Sequence, residues 1–199
     1  MLKNLLSSPW AYEFSQFLWY RPGMQREYVT RYACPKPGDR VLDIGCGVGA
    51  VSQYFPQVTY HGFDSSDRYV DYARRKFGDR AEFTVGIIGQ NVTVEAGSYD
   101  LVMANGILHH LDDREALHLL TLAHEALKPG GRLVTRDGCF EDGQSPVARY
   151  LLEGDRGRFV RTRDAYQQLF DQVFSESTAL VRRDMMRVPY SLIIFQSRK

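Results

Sequence analysis

Little in this 199-residue chain points to a membrane, a disulfide scaffold or a metal centre. It has three cysteines, Cys34, Cys46 and Cys139, an odd number without ligand-like spacing. That excludes a fully paired disulfide framework and favours a reduced, cytoplasmic setting. No apolar run approaches the roughly 20 residues that a membrane-spanning helix needs. The aromatic, polar N-terminus lacks the apolar core of a signal peptide. The five histidines, His61, His109, His110, His118 and His124, form no convincing metal-ligand set with the carboxylates, so no metal is expected. Lysine is scarce, five against twenty arginines, and the net charge is only +1. Such a balance leaves no broad electrostatic footprint for nucleic acid. Internal repeats and low-complexity tracts are also missing. The composition, 44% hydrophobic and 25% charged, suits one globular domain over 1–199.

What the chain does have is concentrated between residues 41 and 64. Val41-Leu42-Asp43-Ile44-Gly45-Cys46-Gly47-Val48-Gly49 is an apolar strand running into a turn with three glycines. A helical pattern follows, and a second strand, Tyr60-His61-Gly62-Phe63-Asp64, ends in a carboxylate. Strand, glycine turn, helix and acid-ended strand together make a nucleoside half-site. Glycines allow a sharp turn and close backbone approach, and the terminal acid can accept bonds from ribose hydroxyls. The dinucleotide fingerprint G-x-G-x-x-G fails, because the glycines fall at 45, 47 and 49. Asp43 would also repel a pyrophosphate, whereas it could help hold a cationic group or the loop's own amides.

An acid followed by G-x-G-x-G resembles motif I of the class I S-adenosylmethionine (SAM)-dependent methyltransferases. Asp64 stands where that family's ribose-binding acid stands. Tyr99 to Leu111 resembles its fourth strand and following loop, and Leu127-Lys128-Pro129-Gly130-Gly131-Arg132-Leu133-Val134 its turn into the fifth strand. The resemblance covers residues 35–140. It implies a Rossmann-like seven-stranded methyltransferase sandwich, an α/β fold with a mainly parallel sheet and an antiparallel C-terminal strand. It implies SAM as cofactor and in-line methyl transfer, and says little about the acceptor; the short, near-neutral chain without a long apolar run makes a small-molecule acceptor the expectation, with no nucleic-acid or membrane partner. A protein or nucleic-acid acceptor, and a non-catalytic SAM-binding subunit, are the rival readings. The oligomeric state is not legible.

The rhythm along the chain agrees. Residues 1–34 carry Trp10, Tyr12, Phe14, Phe17, Trp19, Tyr20, Tyr28 and Tyr32 and predict a helical cap or lid. Residues 35–140 form the SAM-binding core, with strands near 40–44, 58–63, 81–85, 99–104 and 131–136 and helices near 48–54, 66–77 and 113–127. Residues 138–163, rich in glycine and charge, read as an insertion on the acceptor side. Helices near 146–152 and 163–172 and a hairpin of strands near 174–182 and 188–197 complete the chain.

Residue roles follow from the resemblance. Gly45, Cys46 and Gly47 bring backbone amides to the methionine end of SAM, with Cys46 as inert packing. Asp64, with Ser65 beside it, takes the ribose hydroxyls or else caps the helix that follows. Ile87 stands where many members carry an adenine-binding acid, so Ile87 and Ile88 are expected to sandwich the adenine, unless they are plain core. Asn105, Gly106 and Ile107 face the methyl group. Asn105 either bonds the SAM ammonium or makes a local turn bond. Arg26 could reach the SAM carboxylate or be an exposed helix residue. The Ile107-Leu108-His109 string looks like the matching loop of phosphoethanolamine methyltransferases, which makes His109 the candidate base, with Tyr12 or Tyr20 as partner. The alternative gives the His109-His110 pair a structural role. Tyr12, His110 and Arg136 are expected on the acceptor side. Arg149, Arg156, Arg158, Arg161 and Arg163 nearby either mark an anionic acceptor or belong to a solvated insertion.

Overall fold

The computed structural model describes residues 8–155 and 157–199, with the side chains of Tyr12 and Gln16 outside the described atoms. Eight strands form one sheet: β1 (Arg40–Ile44), β2 (Thr59–Asp64), β3 (Glu82–Val85), β4 (Tyr99–Asn105), β5 (Leu127–Phe140), β6 (Arg161–Thr162), β7 (Glu176–Arg182) and β8 (Leu192–Arg198). Their order is β3-β2-β1-β4-β5-β8-β7, with the two-residue β6 beside the end of β5. β1 pairs in parallel with both β2 and β4, and β5 in parallel with β4. β8 alone runs antiparallel to its neighbours β5 and β7. The expected sandwich, parallel with an antiparallel C-terminal strand, is therefore present. Strand order reverses between β1 and β4, which opens a crevice beyond their C-terminal ends.

Period-two alternation splits the core into two layers. Val41 joins the layer beneath the N-terminal cap, with Met24, Tyr28, Tyr60 and Met103. Leu42, one residue on, joins the opposite layer with Val102, Leu120, Tyr166 and Phe195. Burial on both faces explains why β1 and β4 read as nearly continuous apolar runs.

Three helices cover the sheet outside the insertion. α3 (Asp67–Phe77) starts at Ser66, whose hydroxyl accepts from the Tyr69 amide. α4 (Asp113–Ala126) starts with a capping box between Asp112 and Glu115. α6 (Arg163–Phe170) follows Thr162, which accepts from the Ala165 amide. The helix expected near 48–54 is instead one 3₁₀ stretch, Ala50–Tyr54. Gly45, Gly47 and Gly49 are all left-handed, and Pro56 closes the segment, so no room remains for an α-helix. β5 runs on to Phe140, past the expected end near 136, because β6 pairs with Cys139 and Phe140. The segment between them holds α5 (Pro146–Glu153), capped by Ser145.

The cap consists of α1 (Pro9–Trp19), α2 (Met24–Tyr28) and a π-turn over Val29–Ala33. Glu13 ties α1 to α3, accepting from Tyr72 and from Lys76 Nζ at 2.6 and 2.7 Å. The Arg21 amide donates to Met185 O at 3.0 Å and the Arg187 amide to Trp19 O at 2.8 Å, which fastens the cap to the β7–β8 connection. Among the described residues no helix is long and apolar enough to cross a membrane.

Candidate active site

A cavity of about 710 Å³ occupies the crevice at the strand ends, beneath the cap. That falls within the range of about 300–1,000 Å³ usual for small-ligand sites. Its wall brings together Tyr20, Asp43, Gly45, Cys46, Gly47, Asp64, Asn105, Gly106, Ile107, His109, His110 and Arg136. It does not include Ser65, which is exposed beyond β2, or Arg26, exposed on α2. Ile87 lies 44% exposed on the surface and Ile88 is buried in the core with Leu120 and Val102, so neither lines the cavity. The Tyr12 side chain lies outside the described residues.

The glycine turn is self-satisfied. The Gly45 and Cys46 amides donate to Phe63 O at 2.7 and 2.9 Å, and the Gly47 amide to Asp64 Oδ2 at 2.9 Å. The amides expected to meet the methionine end thus hold the turn against β2 instead. Gly45 has φ +73°, and a Cβ there would overlap the Ile107 side chain, so glycine is required on both counts. Cys46 is packed in this turn, and burial, reinforced by Asp43 and Asp64, pushes its thiol well above the ordinary range. It is inert as a nucleophile at neutral pH.

Asp64 also accepts from the Ser66 amide at 2.9 Å. Burial raises its pKa while these two amide bonds oppose the rise. Each oxygen retains a second acceptor site, so the carboxylate can still take ribose hydroxyls at the cavity wall. Asp43 is 2% exposed; the Tyr60 hydroxyl bonds its Oδ2, and Oδ1 has no partner. Burial pushes Asp43 up to about 7, against the Tyr60 bond and with help from the charge of Asp64. Asn105 Oδ1 and Gln25 Oε1, on the same wall, are buried and unpartnered as well. Buried acceptors without donors are costly, and this set fits the ammonium and hydroxyl donors of SAM.

At the other end of the cavity His109 lies between two acids. Its Nδ1 is 2.7 Å from Asp137 Oδ1, and Nε2 is 3.4 Å from Asp155 Oδ1. Burial disfavours the imidazolium, but the bonds to Asp137 and Asp155 outweigh it and push the pKa up to about 9. Asp155 is held below the usual carboxylate range by His109, the Gly157 amide and Tyr190, against its burial. The Tyr190 hydroxyl donates to Asp155 Oδ2 at 2.7 Å. His110 lines the cavity with its ring 4.2 Å from that of His109. Asp112 and Glu115 form the cap of α4.

Of the arginines expected near the acceptor, Arg161 has a scaffolding position. It donates to Leu108 O at 2.9 Å and Leu111 O at 2.7 Å and pairs with Asp113, bracing the histidine loop. Arg149 pairs with Glu153 on α5, Arg158 and Arg163 are exposed, and Arg156 lies outside the described residues. Arg136 is 7% exposed, between the rings of Tyr20 and Tyr28. Sequence reasoning missed Asp137, Asp155, Tyr190 and Gln25 as wall residues. Asp137 directly follows Arg136 at the end of β5, a signal that was readable; Asp155 is one acid among many in the insertion and carries none.

The Methyltransferase domain family matches residues 41–131. A phosphoethanolamine N-methyltransferase of Triticum aestivum is 28% identical over 158 residues, covering 75% of this chain and 30% of its own. A ubiquinone biosynthesis O-methyltransferase of Bordetella avium is 29% identical over 113 residues, covering 54% of this chain and 46% of its own. The chain thus spans only about a third to a half of such relatives. Among solved structures, Haemonchus contortus phosphoethanolamine N-methyltransferase 2, in complex with phosphomonomethylethanolamine and S-adenosylhomocysteine, superposes with a TM-score of 0.78 at 15% identity, over 100% of this chain and 59% of that one. Geranyl diphosphate C-methyltransferase from Streptomyces coelicolor gives 0.68 at 14% identity, over 87% and 74%. At these identities the structural likeness establishes the fold.

Proposed function

We propose that this chain, whose residues 41–131 match the Methyltransferase domain family, is a class I S-adenosylmethionine-dependent methyltransferase that transfers the SAM methyl group to a small-molecule acceptor. One observation carries the reading: Asp64, pinned by the Gly47 and Ser66 amides at the end of β2, shares a cavity with Asp43, whose Oδ1 is buried without a partner. An acid for ribose hydroxyls and an acid for an ammonium at the two sides of one glycine turn suit SAM. They do not suit a dinucleotide, whose pyrophosphate Asp43 would repel.

SAM, when bound, supplies an electrophilic methyl group on a sulfonium. The chain's own residues orient and enclose it. Asp64 holds the ribose side, Asp43 and Asn105 hold the amino end, and Trp19 and Tyr20 of the cap roof the cavity against water. Holding an acceptor nucleophile in line with the methyl is worth about 7–11 kcal/mol, more than any acid–base term this site offers. His109 acts first as a positioning residue, a held cation that orders Asp137, Asp155 and Tyr190. As a base it would need its neutral form, which both carboxylates disfavour. With Tyr20 on the same wall, it would take a proton only toward alkaline pH. The three free cysteines suit a reducing, cytoplasmic setting.

A small acceptor suits a cavity of about 710 Å³ lined by Trp19 and Tyr20 of the cap and by Tyr150, Leu151 and Asp155 of the insertion, and the near-neutral charge suits no broad nucleic-acid footprint. Incubation with methyl-labelled SAM and a fractionated metabolite extract, with phosphoethanolamine as the first pure acceptor, tests this. Label in a small-molecule fraction is expected. Label found only in protein or nucleic acid would overturn the acceptor class, and cofactor binding without any transfer would favour a non-catalytic subunit.

A further inference from the structure

Arg136 is a buried cation that the proposed roles leave unused. It lies in β5, opposite Asn105 of β4 and Ile194 of β8. Its guanidinium is 5.2 Å from the Tyr20 ring centroid and 4.7 Å from that of Tyr28, and Nη1 lies 3.1 Å from Met24 Sδ. Aromatic faces and a thioether stabilise a cation without neutralising it. Among the described residues no carboxylate forms an ion pair with Arg136. A buried, uncompensated guanidinium is unfavourable, and its planar fork matches the two oxygens of a carboxylate.

The strand alternation decides which end of the cavity it serves. Asp137, the next residue, faces His109 and the insertion. Arg136 faces the other way, toward Met24 and Tyr28 of the cap. On that side lie Asp43 and the glycine turn, and the charge of Arg136 is felt at Asp43. Asp43 Oδ1 has no partner. A buried acid and a buried cation near one another complement a zwitterion: an ammonium at Asp43, a carboxylate at Arg136. The backbone donors that could have taken the carboxylate, the amides of Gly45, Cys46 and Gly47, are engaged by Phe63 and Asp64.

We propose that Arg136 binds the methionine carboxylate of SAM and so fixes the amino-acid end of the cofactor. The inference rests on the SAM reading above, and its test separates the two. Calorimetry on the full chain compares wild type, Arg136→Met and Arg136→Lys. Two ligands are titrated: S-adenosylhomocysteine and S-adenosyl-3-thiopropylamine, the same molecule without its carboxylate. Arg136→Met is expected to weaken S-adenosylhomocysteine by about tenfold or more and the decarboxylated ligand by less than about twofold. Arg136→Lys, which keeps the charge but loses the fork, falls between and guards against a misfolded Met variant. Unchanged affinity for S-adenosylhomocysteine, or an equal loss for both ligands, overturns the proposal and returns Arg136 to the acceptor or to the scaffold. Wild type that fails to bind S-adenosylhomocysteine contradicts the cofactor reading itself, whatever Arg136 does.

Discussion

The Nδ1 atom of His109, in the turn after β4, lies 2.7 Å from Oδ1 of Asp137 on β5, and both side chains are buried. Asp137 also accepts from the His109 backbone amide at 3.2 Å, so one acid fixes both the ring and the loop that carries it. With Asp155 on the far nitrogen, the imidazole is a charged element of the wall.

A pH-dependent stability follows. The folded pKa of His109 is about 9, above the roughly 6.5 of an unfolded histidine. Its contribution is therefore complete below about pH 6.5 and is lost as pH rises through about 9. The full difference is on the order of 3 kcal/mol. Thermal melts of wild type should fall more steeply between these pH values than those of His109→Asn. Parallel curves would show that His109 carries no extra proton in the folded state.

The same ring separates positioning from base catalysis once an acceptor is in hand. A positioning role predicts that His109→Ala lowers kcat by about 10² with little change in S-adenosylhomocysteine affinity and no loss of an ascending alkaline limb. A base role predicts a wild-type rate that climbs toward about pH 9, a limb missing from the variant. Near-normal turnover in His109→Ala would remove the residue from catalysis altogether.

Asp64→Ala is expected to weaken S-adenosylhomocysteine by about tenfold to a hundredfold, since bonds to a charged acceptor contribute about 1.5–3 kcal/mol. The variant also frees the Gly47 and Ser66 amides, so a lower melting temperature should accompany the loss. Unchanged affinity would make Asp64 purely a brace for the turn.

Gly45→Ala tests the turn itself. The added methyl meets the Ile107 side chain at a left-handed φ. Overpacking of this kind costs about 1–3 kcal/mol, and a melting temperature indistinguishable from wild type would show that the turn and the Ile107 loop yield freely.

How much of this was legible in the chain differs by element. The sheet could be read because β1 and β4 are buried on both faces and their apolar runs are bounded by glycine. The cavity wall at Asp43, Asp64, Asn105 and His109 could be read because each closes or follows a strand that ends at the crevice. The short 3₁₀ stretch after Gly49 was hidden, since helical periodicity does not register three left-handed glycines and a proline at 56. For Ile87 and Ile88 the sequence leaves adenine contact and plain core open, because two adjacent apolar residues read alike; Ile88 is core and Ile87 is exposed, and neither lines the cavity. The clamp of His109 by Asp155 pairs residues 46 positions apart through the insertion, and no local pattern encodes such a contact.

The cap should respond to the cofactor. Ser15, Trp19 and Tyr20 line the cavity while Trp10, Phe14 and Phe17 face solvent, so α1 is held mainly through Glu13 and the Met185–Arg187 strap. Hydrogen exchange over 9–33 is expected to slow when S-adenosylhomocysteine is added. Identical exchange with and without ligand would count against a lid.

The central claim, that this cavity is built for S-adenosylmethionine, is tested most directly by calorimetric titration of the chain with S-adenosylhomocysteine and, separately, with NAD. The account predicts saturable binding of S-adenosylhomocysteine and no response to NAD. Binding of NAD without any response to S-adenosylhomocysteine would contradict it.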